Sequence, residues 1–305
     1  MNLRIAVILP CYNEEAAIGQ TVAGFRAALP GAEIYVFDNN SRDRTVEVAT
    51  AAGAIVRKEA MQGKGNVVRR MFADIDADVY VMADGDATYD AAAAPEMIQR
   101  LVDEHLDMVV GARASEVEAA YRRGHRLGNM VLTGILARLF GRTFSDILSG
   151  YRVFSRRFVK SFPILSAGFE IETEISVHAL ELRMPVAEVV TRYGARPEGS
   201  ASKLSTYRDG WRILSTILTL FRIERPVLYF GSIGGLLALL AVVLTIPLIV
   251  TYAQTGLVPR FPTAILATGL AIVACLCFFA GLILDTVVRG RREMRRLAYL
   301  ALPPV

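Results

Sequence analysis

The chain has 305 residues, 53% hydrophobic and 21% charged, with a formal net charge of +4. Its length allows about two folding units. The small basic excess lies largely beside an apolar C-terminal third, where it suits anionic lipid better than nucleic acid, and no nucleic-acid-binding motif occurs. Cys11, Cys275 and Cys277 make an odd count with two inside an apolar segment, which excludes a disulfide framework and fits a reducing compartment.

From the N-terminus, residues 1–10 carry a short apolar run with no small-residue cleavage site before Glu14-Glu15, and read as a strand rather than a leader. Ile5–Leu9, Ile34–Asp38, Ala54–Arg57, Val79–Ala83 and Met108–Gly111 are short, partly β-branched runs, and most intervals between them have helical spacing. Alternating β and α segments imply an α/β fold with a mostly parallel central sheet. Ligands of such sheets bind beyond the carboxyl ends of the strands. Pro10-Cys11-Tyr12-Asn13-Glu14, Asp38-Asn39-Asn40-Ser41, Asp84-Gly85-Asp86 and Ala112-Arg113 all fall there, so polar residues gather at one edge.

Further along, a helix is expected over 124–140, a strand after Ser145–Arg152, a helix over 170–182, a strand over 186–193 and a polar loop over 195–203. Residues 206–221 set Trp211, Leu214, Ile217, Leu218 and Phe221 on one helical side. That pattern suits an interfacial helix or a core-facing one, and its place just before an apolar segment favours the former.

Between Val227 and Val288 the only charged residues are Arg260 and Asp285. Val227–Tyr252 and Thr263–Val288 each exceed the roughly 20 apolar residues that cross a bilayer core. The connector between them holds two prolines and a glycine and turns them into a hairpin. Arg208, Arg212, Arg222 and Arg225 precede it, and Arg289, Arg291, Arg292, Arg295 and Arg296 follow, which puts both ends in the cytoplasm. The expected organisation is a cytoplasmic domain over 1–204, a juxtamembrane amphipathic helix over 205–226, two transmembrane helices within 227–288 (227–252 and 263–288), and a basic cytoplasmic tail over 289–305. Such a chain is a multi-pass protein of the inner, cytoplasmic membrane.

Asp84-Gly85-Asp86 directly follows Val79–Ala83, so two carboxylates leave the end of an expected central strand. Carboxylates so close repel unless a cation is near. Mg²⁺ or Mn²⁺, hard ions that keep waters and bind phosphate oxygens, suit them and would neutralise a departing nucleotide diphosphate. An isolated Asp-x-Asp is usually a solvated turn; its place among polar strand ends points to a site. Gly63-Lys64-Gly65 lacks the spacing of a P-loop. His105, His125 and His178 show no metal-ligand spacing.

Pro10-Cys11-Tyr12-Asn13-Glu14-Glu15, Asp38–Thr45, Gly63-Lys64-Gly65, Asp84-Gly85-Asp86, Gly111-Ala112-Arg113, Asp146 with Ser149-Gly150-Tyr151-Arg152, and Gly199–Lys203 occur in the order found in family 2 glycosyltransferases. The set resembles the dolichyl- and polyprenyl-phosphate sugar synthase branch, and the tail resembles bacterial polyprenyl-phosphate glycosyltransferases with two C-terminal spans. The resemblance implies a GT-A type nucleotide-sugar-binding domain. It makes Pro10, Tyr12 and Glu14 the first nucleotide-contacting loop, Asp38 the partner of base or ribose, and Lys64 part of the nucleotide side. Asp84 and Asp86 become the metal and donor-phosphate motif, with Thr88 where many relatives carry a further metal-binding Gln. Arg113 and Arg126 match arginines that face donor and acceptor phosphates, for which a guanidinium fork is suited. Arg196, Ser202 and Lys203 fall in a loop that closes over donor and lipid phosphate, and Asp146 orients the acceptor, acts as base, or has a structural role.

The reaction so implied is inverting transfer of a hexose (glucose, mannose or N-acetylhexosamine) from a UDP- or GDP-sugar to undecaprenyl or dolichyl phosphate. A phosphate monoester, with its second pKa near 6, is already a dianionic nucleophile and needs cations more than a base. The alternatives are a lipid-hydroxyl or glycan acceptor, and a non-catalytic sugar-nucleotide-binding membrane subunit. Asp84, Asp86, Arg113 and Arg126 argue against the last. Relatives associate through tails and terminal extensions, so a homo-oligomer is among the partners the resemblance allows.

Overall fold

The computed structural model describes residues 3–114, 145–164, 166–168, 170–197, 215, 218–219 and 221–305. Arg126, Ser202, Lys203, the helix expected over 124–140 and most of that over 206–221 lie outside these residues. Compact units are Met1–Ser215 with Arg295–Val305, and Thr216–Met294.

Among the described residues of the first unit, β1 (Ile5–Cys11), β2 (Glu33–Asp38), β3 (Ile55–Lys58), β4 (Val79–Met82), β5 (Met108–Ala114), β6 (Arg152–Ser155) and β7 (Val186–Arg192) form one sheet in the order β3-β2-β1-β4-β6-β5-β7. Every residue of β4 and β6 is buried: β4 is a continuous apolar run suited to a sheet centre, whereas β6 carries Arg152 and Ser155, both hydrogen-bonded, at its ends. The sheet is parallel except at β6, which runs antiparallel to both β4 and β5. The strands expected from sequence match β1 to β7 to within a few residues. The antiparallel direction of β6 is not encoded in its four residues.

Side-chain alternation assigns the faces. Val7, Leu9, Val36, Val81 and Val153 share a core with Ile18, Val22 and Phe25 of α1 (Ile18–Ala28) and with Met97 and Leu101 of α4 (Ala94–Asp103). Spacings of three and four along α1 place its buried residues on one stripe. The alternate residues meet an aromatic group. Phe72 of α3 (Lys64–Asp74) lies edge-on to Phe154 at 5.6 Å, and Phe154 stacks on Phe158 of α5 (Arg156–Ser161) at 4.9 Å. α2 (Thr45–Ala51) and α6 (Ile171–Glu181) are further helices among the described residues of this unit.

Within the stretch expected as a basic tail, 289–305, the chain is helical to Leu300, and Arg295–Val305 count with the first unit. Arg295 pairs with Glu181 at 3.1 Å. The Tyr299 hydroxyl donates to Asp107 Oδ2 at 2.7 Å, while Arg157 donates to both oxygens of Asp107 and lies 4.7 Å from the Tyr299 ring centre. Asp107 is fully buried at the amino end of β5 and also accepts from Ser155 Oγ at 2.8 Å.

The second unit contains α7 (Pro226–Thr255) and most of α8 (Phe261–Leu300), both long and apolar enough to cross a membrane. Gly256, at φ 68°, caps α7. Buried positions recur every seventh residue: Gly234, Ala241 and Leu248 on α7, and Ala267, Ala274, Gly281 and Val288 on α8. Small residues let the backbones approach; a Cβ on Gly234 would stand 3.0 Å from the Ala274 carbonyl oxygen. Leu236, Leu239, Ile246, Ile265, Phe279 and Ile283 are exposed. A water-soluble core pair would bury such residues; these helices present them outward. Arginines of this unit find partners within it: Arg289 pairs with Asp285 at 2.7 Å, and Arg292 donates to the Glu224 backbone carbonyl at 2.8 Å.

Candidate active site

The loops after β1 and β2 are stitched together. Asn13 N donates to Ser41 Oγ at 2.9 Å, Glu14 N to Thr45 Oγ1 at 2.8 Å, and Arg42 N to Asn13 Oδ1 at 2.8 Å. Asp38 is buried at the end of β2 and accepts from Ser41 N. Asn39 extends the seam: its Oδ1 accepts from Gly63 N at 2.7 Å, and its Nδ2 donates to the carbonyls of Glu59 and Met61. Pro10, Tyr12, Glu14 and Asp38 therefore stand on one braced rim.

Cys11 marks where that rim meets β4. Burial raises its thiol pKa well above the ordinary value, reinforced by the charges of Glu14, Asp84, Asp38 and Asp86. Four carboxylates thus gather about the end of β1. Gly85 is required between the two aspartates, because a Cβ there would collide with Cys11 Sγ.

Each aspartate already faces a cation of the chain. Lys64 Nζ lies 2.5 Å from Asp84 Oδ1, and Arg196 Nη2 lies 2.6 Å from Asp86 Oδ2. Burial, then the Asp84 charge, raises the Asp86 pKa above the ordinary carboxylate value. Ala87, at φ 58°, turns the chain so that Thr88 donates through Oγ1 (2.6 Å) and N (3.2 Å) to Asp86 Oδ1. The Thr88 hydroxyl is thus placed as a donor that orients Asp86. Among the described residues no group of three or more His, Cys, Asp or Glu converges as a metal cage. The oxygen-only pair Asp84 and Asp86 nevertheless fits an ion such as Mg²⁺, which retains waters and takes its remaining ligands from substrate phosphate.

The glycines of Gly63-Lys64-Gly65 have a packing cause. A Cβ on Gly63 or Gly65 would fall under 3.0 Å from backbone oxygens of Ala167 or Ser166. Gly65 N donates to the carbonyls of Ala167 (3.0 Å) and Gly168 (3.1 Å). The 166–168 backbone thus lies directly on the start of α3. Lys64 is thereby delivered to Asp84 and to Glu172 of α6, also at 2.5 Å. Burial opposes its charge, but the two carboxylates outweigh burial and hold its pKa above the ordinary lysine value.

Arg113, at the end of β5, makes a fork to Asp146: Nε to Oδ2 at 2.6 Å and Nη2 to Oδ1 at 2.8 Å. Burial works against the Asp146 carboxylate, yet the hydrogen bonds and charge of Arg113 leave its pKa below the ordinary value. Asp146 N and the Ser145 N and Oγ all donate to Glu188 of β7. Arg152, fully buried, donates to the carbonyls of Ser149, Ile147 and Glu172 and so pins this loop to α6.

Tyr89 joins the halves. Gly150 N donates to its hydroxyl at 2.9 Å, its ring lies 5.4 Å from Tyr151 and 5.3 Å from Tyr193, and Gly194 N donates to Thr88 O at 2.8 Å. The segment carrying Arg196 is thereby fastened to the Asp84–Asp86 loop. Asp84, Asp86, Thr88, Lys64 and Arg196 form one contiguous set, and Arg113 with Asp146 forms a second, connected through Tyr193, whose ring centre lies 5.5 Å from the Arg113 guanidinium. Glu172, Glu188 and Tyr89 were not singled out in the sequence; they sit within ordinary helix and strand patterns and gain meaning only from tertiary contact.

The fold is shared with solved structures. Glucosyl-3-phosphoglycerate synthase from Mycobacterium tuberculosis, in complex with Mn²⁺, UDP and glucosyl-3-phosphoglycerate, aligns with a TM-score of 0.60 at 25% identity, covering 72% of this chain and 79% of that one. The first unit is a GT-A-like α/β domain with a mostly parallel sheet, followed by two long apolar helices. The chain belongs to glycosyl transferase family 2, whose profile matches residues 6–162. Glycosyltransferase AglJ of Haloferax volcanii is 36% identical over 232 residues, covering 75% of this chain and 76% of that protein. A dolichyl-phosphate hexose transferase of the same organism is 28% identical over 221 residues, covering 72% of this chain and 95% of that one. The protein is therefore an enzyme, a glycosyltransferase.

Proposed function

We propose that this enzyme transfers a hexose, with inversion, from a UDP- or GDP-sugar to a polyprenyl phosphate at the cytoplasmic face of the inner membrane. The observation that carries the reading is a pair of carboxylates at the sheet centre, each facing a cation, in a chain that also holds two outward-apolar helices. A relative named as a dolichyl-phosphate hexose transferase and a fold neighbour solved with Mn²⁺ and UDP support it. Residues 1–204 form the catalytic domain, 205–226 lie along the membrane surface and 227–288 span it, with both ends held cytoplasmic by the flanking arginines.

Asp84 and Asp86 would hold Mg²⁺ or Mn²⁺, which supplies neutralisation of charge on the departing nucleoside diphosphate. Pro10, Tyr12, Glu14 and Asp38 take the nucleotide, and Arg196 exchanges Asp86 for the donor diphosphate. Arg113 faces phosphate, and Arg126, Ser202 and Lys203 serve the acceptor phosphate. An acceptor phosphate oxygen attacks the anomeric carbon while the bond from that carbon to the diphosphate oxygen breaks on the opposite side. The dianionic acceptor needs no base. A hydroxyl acceptor would need one, and Asp146, with both oxygens engaged by Arg113, is poorly placed to serve.

Purified protein in detergent, given Mg²⁺ or Mn²⁺, undecaprenyl phosphate and a panel of labelled UDP- and GDP-sugars, is expected to produce an organic-extractable labelled lipid with one donor, and Asp86→Ala to abolish it. Labelled product only with a hydroxyl-bearing lipid or glycan would overturn the acceptor assignment.

A further inference from the structure

The Lys64 ammonium lies between two carboxylates in different surroundings. Asp84 has 31% of its side chain exposed, whereas Glu172 has 5%. Glu172 therefore stands behind the lysine, sealed from any ligand, and Asp84 stands before it, open to the cleft. With Asp84 as its sole partner, Lys64 would cancel the charge that a divalent cation needs. With Glu172 as second partner, the trio keeps one net negative charge, and Asp84 is the member that can present it.

The first turn of α6 is built around this duty. Glu172 and Glu174 sit in that turn, where the helix N-terminus favours carboxylates. The Glu172 carbonyl accepts from Arg152 Nη2 at 3.1 Å and from Ser176 Oγ at 2.9 Å, so the backbone is fixed independently of the carboxylate. Glu174 accepts from Ser166 N and Oγ, next to the Ala167 carbonyl on which Gly65 N rests. One helical turn thus fixes both the backbone and the ammonium of Lys64.

We infer that Glu172 is a positioning residue of the active site, drawing the Lys64 charge away from Asp84 and thereby setting the site's affinity for a divalent cation. This rests on the proposed function, which places the cation at Asp84 and Asp86. Removing the Glu172 charge takes from Lys64 one of the two carboxylates it pairs with at 2.5 Å, so more of its charge falls on Asp84 and binding of the cation weakens. Removing the Lys64 and Glu172 charges together restores the original balance.

Mn²⁺ binding to the full-length detergent-solubilised protein, followed by electron paramagnetic resonance of the free ion, tests this in wild type, Glu172→Gln, Lys64→Met/Glu172→Gln and Asp86→Ala. Glu172→Gln is expected to weaken binding at least tenfold, the lower bound for losing a unit charge within about 10 Å of the ion at an effective dielectric of about 20. The double variant is expected within about threefold of wild type, since it removes the opposite charges of Lys64 and Glu172 together and leaves the net charge of the trio unchanged. Equal Mn²⁺ affinity in Glu172→Gln and wild type overturns the inference, and so does a double variant that binds as weakly as Glu172→Gln. Should Glu172→Gln fail to fold, the double variant decides alone: wild-type affinity supports the inference and a tenfold loss overturns it. Wild type that does not bind Mn²⁺, or binding that survives Asp86→Ala, overturns the placement of the cation and with it the proposed function, an outcome distinct from the others.

Discussion

Arg113 and Asp146 engage each other through a two-bond fork, and that bears on what Asp146 does. Asp146→Asn keeps the side-chain shape but removes the charge that fixes the guanidinium, so turnover should drop about tenfold or more through loss of a charge-assisted fork. The pH profile of the residual activity should keep its acidic limb. Disappearance of that limb would identify Asp146 as the base instead. Both residues could be picked out from the sequence by their place after strands, but their mutual engagement could not, because 33 positions separate them.

His178 makes a second prediction at this scale. Its ring packs 4.9 Å from Phe162 and 5.5 Å from Phe158, and neither nitrogen has a hydrogen-bond partner among the described residues. Burial, reinforced by the Arg295 charge, pulls the imidazole down to about 3 from 6.5. Between those values the unfolded chain holds a proton that the folded chain refuses. Stability is therefore intact above pH 6.5 and declines as pH falls from 6.5 towards 3, at up to about 1.4 kcal/mol per pH unit. Replacing His178 by Phe should flatten denaturation midpoints between pH 6.5 and 4.5, a window in which an ordinary carboxylate is mostly ionised. An unchanged slope would show that His178 is not the source.

At the level of elements, two glycines distinguish packing from phosphate recognition. Gly65→Ala drives a Cβ into the Ser166 carbonyl and should cost about 1–3 kcal/mol in denaturant unfolding, with loss of activity as Lys64 shifts. Gly24→Ala, in the interior of α1 with 3.4 Å to its nearest neighbour, should be neutral or stabilise by about 0.5–1 kcal/mol. A tolerated Gly65→Ala would remove the packing explanation. The strands were legible because short apolar runs bounded by polar turns are a local signal. The direction of β6 was not, since it depends on the strand's insertion between β4 and β5, both remote in sequence. Glu172 was hidden for a similar reason: one acidic residue in a helical first turn is the commonest of patterns, and its partner is 108 positions away in Lys64.

For the molecule as a whole, the two apolar helices were plain from composition, whereas the fate of residues 295–305 was not. Their arginines read as lipid-facing charge, yet Arg295 meets Glu181 from 114 positions away and Tyr299 meets Asp107 from 192. Tyr299→Phe leaves the buried Asp107 one donor short and should destabilise the first unit by about 1–3 kcal/mol, readable as a lower midpoint in chemical denaturation. No change in the midpoint would show that the tail contact does not contribute to holding that unit.

The Tyr299–Asp107 bond also sets an order in time. Synthesis runs from N- to C-terminus, so the Tyr299 hydroxyl that donates to Asp107 leaves the ribosome only after α7 and the apolar stretch of α8 have emerged. Until then the sheet exists with an acidic group in its interior that lacks one of its partners. A chain halted before Tyr299 should present that unfinished edge to proteases and chaperones. The segment around Tyr299 acts as a seal, closing the first unit only after the long apolar stretches that precede it have been made.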